Sequence, residues 1–222
     1  MKKVIIINGS PRKNGNTAKL LQEALKGAEE TGAEVEYFNL YDYDFKGCRS
    51  CFVCKLKGNK TGGLCAIKDE AKPILEKILQ ADAVIMGSPI YYSYPTGVFR
   101  MLLERMLFAA ATYLKDEKTM FKRQINRNIP FGLIYTMNVN DEQFKYFDYD
   151  TILNRPNEAF INMIFGYCET LCSYDTHQFN DYSKYDCDMF DGKHKAEVRD
   201  NQFPKDLEKA YDLGKRLVEM NI

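Results

Sequence analysis

The sequence predicts a doubly wound α/β domain, with a five-stranded parallel sheet and helices on both faces. Three observations predict it. β-Branched apolar runs such as Val4 to Ile7 and Ala83 to Met86 end abruptly in Gly, Ser and Pro, the mark of strands buried on both faces. Segments with apolar residues at helical spacing alternate with those runs, which implies right-handed crossovers between parallel strands. Internal repeats and low-complexity linkers are absent, so residues 1–222 read as one domain.

Taken in order, the first strand ends in the loop "NGSPRKNGNT", and Ala18, Leu21, Leu25 and Ala28 mark a helix starting near Thr17. "TGAEVEYFNL" is a turn and a second strand, Glu34 to Leu40. A Cys-rich insertion near 41–66 precedes a helix around Pro73 to Gln80. The third strand runs from Ala83 to Met86 and ends in "GSPIYY", and the next helix spans Thr96 to Leu107. Residues 108–128 are a polar excursion from the core. "IPFGLIYTMNVN" is the fourth strand with its polar end. A helix near Asn157 to Phe165 leads to a fifth strand, Leu171 to Phe179. Residues 180–203 read as loop, and "PKDLEKAYDLGKRLVEM" closes the domain as an amphipathic helix.

Composition excludes several classes. The 31 basic residues balance 31 acidic ones, unlike the basic excess of a nucleic-acid binder. No apolar run approaches the roughly 18 residues of a membrane helix. "MKK" followed by "VIII" begins like a signal segment, but the run passes straight into Asn8 and Gly9 and is read as a strand. A cytoplasmic protein is expected, whose seven cysteines are thiols or metal ligands rather than disulfides.

In a fold of this class ligands sit beyond the carboxyl ends of the strands, where "NGSPRKNGNT" lies. A helix amino-terminus offers unpaired N–H groups and partial positive charge to a phosphate. Gly9 and Gly15 allow close backbone approach. Ser10, Asn14, Asn16 and Thr17 add side-chain donors and Arg12 adds a charge. The plainer alternative is a capped turn with Asn16 or Thr17 as the cap. Five residues separate Gly9 from Gly15 and Asn16 follows, so the triphosphate loop with its Gly-Lys-Ser/Thr is excluded. The G-x-G-x-x-G fingerprint is also absent. The phosphate of a mononucleotide is the expected ligand.

"INGSPRKNGNT" together with "ADAVIMGSPIYYSYPTGVFRMLLER" resembles the flavodoxin-like NAD(P)H-dependent FMN reductases and their iron–sulfur flavoprotein relatives. The resemblance implies the strand order 2-1-3-4-5 and FMN as cofactor. It places the phosphate at Ser10, Arg12, Asn14, Gly15, Asn16 and Thr17. It places the isoalloxazine ring against Pro89, Ile90, Tyr91 and Tyr92, where core packing is the alternative role for the tyrosines. A third contact is implied at Thr136, Met137 and Asn138, although "TMNVN" lacks the glycine common there. NAD(P)H is the implied hydride donor, and a quinone or other small electrophile the acceptor. A homodimer or tetramer is implied, with no nucleic acid and no membrane as partner. The chemistry belongs to the flavin, and His177 and His194 are expected at the surface.

Cys48, Cys51 and Cys54 stand at x2 spacing with Cys65 further on, like the compact run that holds a [4Fe–4S] cluster. Relatives that carry a cluster place the fourth cysteine nearer. Zinc, and structural or redox thiols on one helical face, stay open beside it. With a cluster the protein would be an electron carrier that works with a redox protein partner. Cys168, Cys172 and Cys187 have no ligand spacing and are expected to be structural.

Overall fold

The computed structural model describes residues 1–117 and 119–222. Strands β1 (Lys3–Asn8), β2 (Glu34–Asn39), β3 (Ala83–Tyr91), β5 (Ile129–Thr136) and β6 (Gly166–Ser173) form a parallel sheet in the order β2-β1-β3-β5-β6. This is the expected 2-1-3-4-5 order once the two-residue β4 (Tyr94–Pro95), an antiparallel partner of β3 alone, is set aside.

Period-two alternation divides the sheet's side chains between two layers. Val4, Ile6, Ala83, Ile85 and Ile134 pack under α1 (Asn16–Glu30) and α7 (Phe203–Glu219). Ile5, Ile7, Val84, Met86, Phe131 and Leu133 face the other layer, with α2 (Ala71–Gln80), α3 (Gly97–Ala110) and α5 (Arg155–Phe165). Helices α1 and α7 touch through two glycines. A Cβ at Gly27 would lie 2.0 Å from the Tyr211 carbonyl oxygen, and one at Gly214 would lie 1.9 Å from that of Ala24. Backbone cannot retreat as a side chain does, so Gly214→Ala must force the helices apart. Its expected cost is about 1–3 kcal/mol, read as a lower urea midpoint with an unchanged slope.

Three segments depart from the sequence expectations. The fifth strand begins at Gly166 rather than Leu171, because α5 ends on Gly166 at φ +97° and the chain enters the sheet at once. It is an edge strand, half-buried along most of its length, and so lacks the continuous apolar run that marks β1 or β5. Residues after Ser173 leave the sheet and cross its carboxyl end. The presumed loop 180–203 contains α6 (Gly192–Asn201), whose polar sequence buries only Lys195. Short helix α4 (Asp141–Tyr146), opened by an Asn140–Gln143 capping box, lies where the sequence shows only the polar end of a strand. Residues 108–110 extend α3 beyond its expected end, and the rest of the 108–128 segment is irregular, as expected, with one antiparallel bridge between Ala111 and Arg123; Lys118 within it lies outside the described residues.

Candidate functional site

The site is built on the carboxyl ends of β1, β3 and β5. Asn8, buried at the end of β1, accepts from Ser10 N at 3.0 Å and donates to Asn39 Oδ1 at 3.0 Å, which fixes how the chain leaves the strand. Ser10 Oγ accepts from Arg12 N at 3.1 Å. The next loop is tied to the first: Gly9 N donates to Gly87 O at 2.7 Å, and Thr96 Oγ1 donates to Gly9 O at 2.7 Å. Ser88 Oγ in turn accepts from Thr96 N at 3.0 Å. The third segment joins through the Thr17 and Thr136 hydroxyls, 2.7 Å apart and buried.

The capping alternative fails. Helix α1 begins at Asn16 with Gly15 in the N-cap position, and no side chain caps it. The first-turn N–H groups therefore face the loop with neither Asn16 nor Thr17 spent on them. Asn16 Nδ2 donates instead to His177 O at 2.8 Å, and Arg12 Nη1 donates to Gln178 O at 2.9 Å. Both are carbonyls of the segment that follows β6, so two groups expected at a phosphate hold a strap across the loop.

One cleft of about 770 Å³, within the 300–1,000 Å³ usual for a ligand site, gathers Ser10, Arg12, Gly15, Asn16 and Thr17. Pro89, Ile90, Tyr91 and Tyr92 form one wall, and Thr136, Met137 and Asn138 another. Asn14 is the exception among the expected contacts: it faces a neighbouring cleft. Tyr91 and Tyr92 are exposed, Tyr92 fully, so core packing is not their role. Tyr92 and Ser93 turn the β3–β4 hairpin at φ +48° and +73°, a conformation that non-glycine residues rarely hold, and one that concentrates strain at the cleft rim. Asn138 Oδ1 is buried without a hydrogen-bond partner. Its carbonyl accepts from Lys195 Nζ at 2.9 Å, and Lys195 is ion-paired with Asp175, which also meets His194 Nε2 at 2.6 Å. Helix α6 is thus stapled to the third segment by a buried cation.

Sequence reasoning missed Asn8, Ser88, Thr96, Gln178 and Lys195. The "GS" that follows β1 and recurs within β3 was a signal for the first two segments, whereas nothing local marks Gln178 or Lys195, which arrive by chain crossing. His194 is exposed, as expected. His177 is half-buried, because its ring packs on Tyr182 at 5.4 Å. Burial, then Arg199, pushes its pKa down.

Cys48, Cys51, Cys54 and Cys65 converge on a second, tight cavity with room for about one water, walled by Phe52, Phe108 and Arg105. All seven cysteines are free thiols. Burial pushes the Cys54 thiol up, with Lys55 opposing. Among the described residues no group of three or more His, Cys, Asp or Glu stands in metal-ligating geometry. Away from that cavity, burial raises Cys168 and takes Cys172 up to about 11, which suits inert structural thiols.

Sheet order, helices on both faces and a ligand-sized cleft at the strand ends define a flavodoxin-like α/β protein. The family model for NADPH-dependent FMN reductase matches residues 2–125, and the chain belongs to that family. An iron–sulfur flavoprotein of Methanocaldococcus jannaschii is 41% identical over 103 residues, 46% of this chain and 51% of its own. One from Archaeoglobus fulgidus is 38% identical over 107 residues, covering 48% and 50%. The chain spans about half the length of the curated relatives it matches. In fold it is similar to an NAD(P)H:quinone oxidoreductase from Methanothermobacter marburgensis (TM-score 0.68, 13% identity, 100% of this chain and 98% of the other). It is likewise similar to an azoreductase from Bacillus anthracis (TM-score 0.63, 12% identity, 97% and 100%). Among the described residues no helix is long and apolar enough to cross a membrane.

Proposed function

We propose that the protein is an FMN-dependent oxidoreductase that passes hydride from NAD(P)H to a quinone or another small electrophile. One observation carries the reading: every expected cofactor contact except Asn14 lines a single cleft at the switch point of the sheet. The donor set suits a phosphate monoester at the uncapped start of α1, and Asn138 Oδ1, buried beside the cleft with no partner among the described residues, is an acceptor that a small side-chain turn would offer to a ring N–H. When bound, FMN supplies the two-electron chemistry, and the protein supplies position and electrostatics. Arg12 and Asn16 exchange the Gln178 and His177 carbonyls for phosphate oxygens. Ser10 and Thr17 hold the loop backbone for that exchange. Pro89 to Tyr92 and Thr136 to Asn138 exclude water from the ring end, while Lys195 keeps the Asn138 peptide oriented. Free thiols throughout suit a reducing cytoplasm, and the exposed Tyr91, Tyr92 and Tyr94 suit a rim completed by a second subunit.

A second reading, an electron carrier with a [4Fe–4S] cluster, is favoured by the convergence of Cys48, Cys51, Cys54 and Cys65 on one cavity. Thiolate donors suit iron and sulfide, and loading requires the 48–54 arm to open. An absorption spectrum of protein purified without oxygen, with iron and sulfide assayed on the same sample, separates the two. Flavin bands without iron are expected for the reductase. Flavin bands on a broad background, with iron and sulfide in equal amounts, make the carrier the function.

A further inference from the structure

A second cleft lies on the far side of the phosphate loop. It encloses about 1050 Å³ and meets the first cleft at Arg12, Gly15, Asn16 and Gln178. The two clefts share that wall, which the bonds of Arg12 and Asn16 to the strap hold together. Its charge is one-sided: Arg12, Lys19, Lys184 and Arg199 line it against a single carboxylate, Asp181. Lys184 pairs with Asp181 at 3.6 Å, and Arg199 pairs with Asp200 at 2.7 Å. Neither Arg12 nor Lys19 has a carboxylate partner among the described residues. These cations come from the first loop, α1, the strap and α6, so the fold assembles them rather than one helix face. Two aromatic side chains, Phe179 and Tyr185, also line it. Phe179 and Tyr185 stack at 4.0 Å and 16°, and Phe179 meets Tyr182 at 5.2 Å.

We infer that this second cleft binds the adenosine-phosphate half of a dinucleotide, with phosphates against Lys19 and Arg199 and the base against the Phe179–Tyr185 stack. Lys19, with no carboxylate partner among the described residues, and Arg199, whose guanidinium is shared with Asp200, suit phosphate, and a stacked aromatic pair suits the flat face of a base. The clefts adjoin at Arg12 and Asn16, so a ligand laid over that shared wall would occupy both. The inference rests on the flavin reading for the direction in which the ligand lies, but not for the existence of the cleft. Two molecules carry this chemistry: NADPH beside bound FMN, or a flavin that is itself adenylated.

The test is calorimetry with three probes. Adenosine 2′,5′-bisphosphate and ADP are titrated into FMN-loaded protein, and FAD is compared with FMN on the flavin-free protein. Lys19→Ala and Arg199→Ala are run beside the wild type, with circular dichroism as the fold control. If the source is the co-substrate, the bisphosphate binds alongside FMN and each variant weakens it about tenfold, the worth of one charged hydrogen bond. If the source is the cofactor, the bisphosphate binds no tighter than ADP, FAD binds about tenfold tighter than FMN, and both variants remove that gain. Either pattern supports the inference. No probe binding with FAD no tighter than FMN overturns it, as does binding that neither variant changes. Bisphosphate binding that depends on Lys19 and Arg199, in protein that takes no flavin, would overturn the flavin reading and leave this one standing.

Discussion

Asn16→Asp is expected to weaken FMN binding by about 100-fold, close to 2.7 kcal/mol. Asn16 opens α1 and donates through Nδ2 to the His177 carbonyl. The variant loses that donor and sets a carboxylate against both the carbonyl and the incoming phosphate, which carries nearly two charges at neutral pH. Riboflavin, which has no phosphate, is the control, and its affinity should move far less. Loss of fold is not the cause to expect. The first turn of α1 has no acidic residue, and one placed there gains about 0.3–1 kcal/mol from the helix dipole. Fluorescence titration with both ligands, beside a thermal melt, reads both effects. An unchanged FMN affinity would remove the loop from the phosphate site.

Asp69→Ala is expected to cost about 3 kcal/mol of stability, near the low end for breaking a buried pair because Asp69 is partly exposed. Arg105 is fully buried on α3 and pairs with Asp69 at 2.6 Å. It also donates to the carbonyls of Lys46 and Ile67 at 3.3 Å each, so one guanidinium pins the Cys-rich insertion to the core. Removing the carboxylate strands that charge beside the cysteine cavity. The double variant Asp69→Ala/Arg105→Met should recover much of the loss, since an apolar side chain of similar length needs no partner. Urea unfolding of the three proteins checks it. A single variant as stable as wild type would mean that water already serves Arg105.

The parts of the fold that were legible in the sequence are those with local causes. Val4 to Ile7 and Ala83 to Met86 announce central strands because both their faces are buried, and the donor-rich "NGSPRKNGNT" has no core to join. The site followed, because strand ends in this topology converge whatever the helices between them do. What stayed hidden depends on distant partners. Strand β6 is half-buried at an edge and carries no apolar run. Helix α6 is polar nearly all round, and its one buried residue, Lys195, gains its place only through Asp175 and Asn138. That Arg12 and Asn16 hold the strap is likewise a contact across more than 160 residues of chain. The four cysteines are an intermediate case: their spacing was legible, and their convergence was not.

The measurement that tests the central claim most directly is the affinity of the flavin-free protein for FMN against riboflavin, by quenching of flavin fluorescence. A phosphate site in the first loop predicts that FMN binds at least about 100-fold tighter, because the charged hydrogen bonds of that loop act on the phosphate alone. Equal affinities, or no binding of FMN, would contradict it.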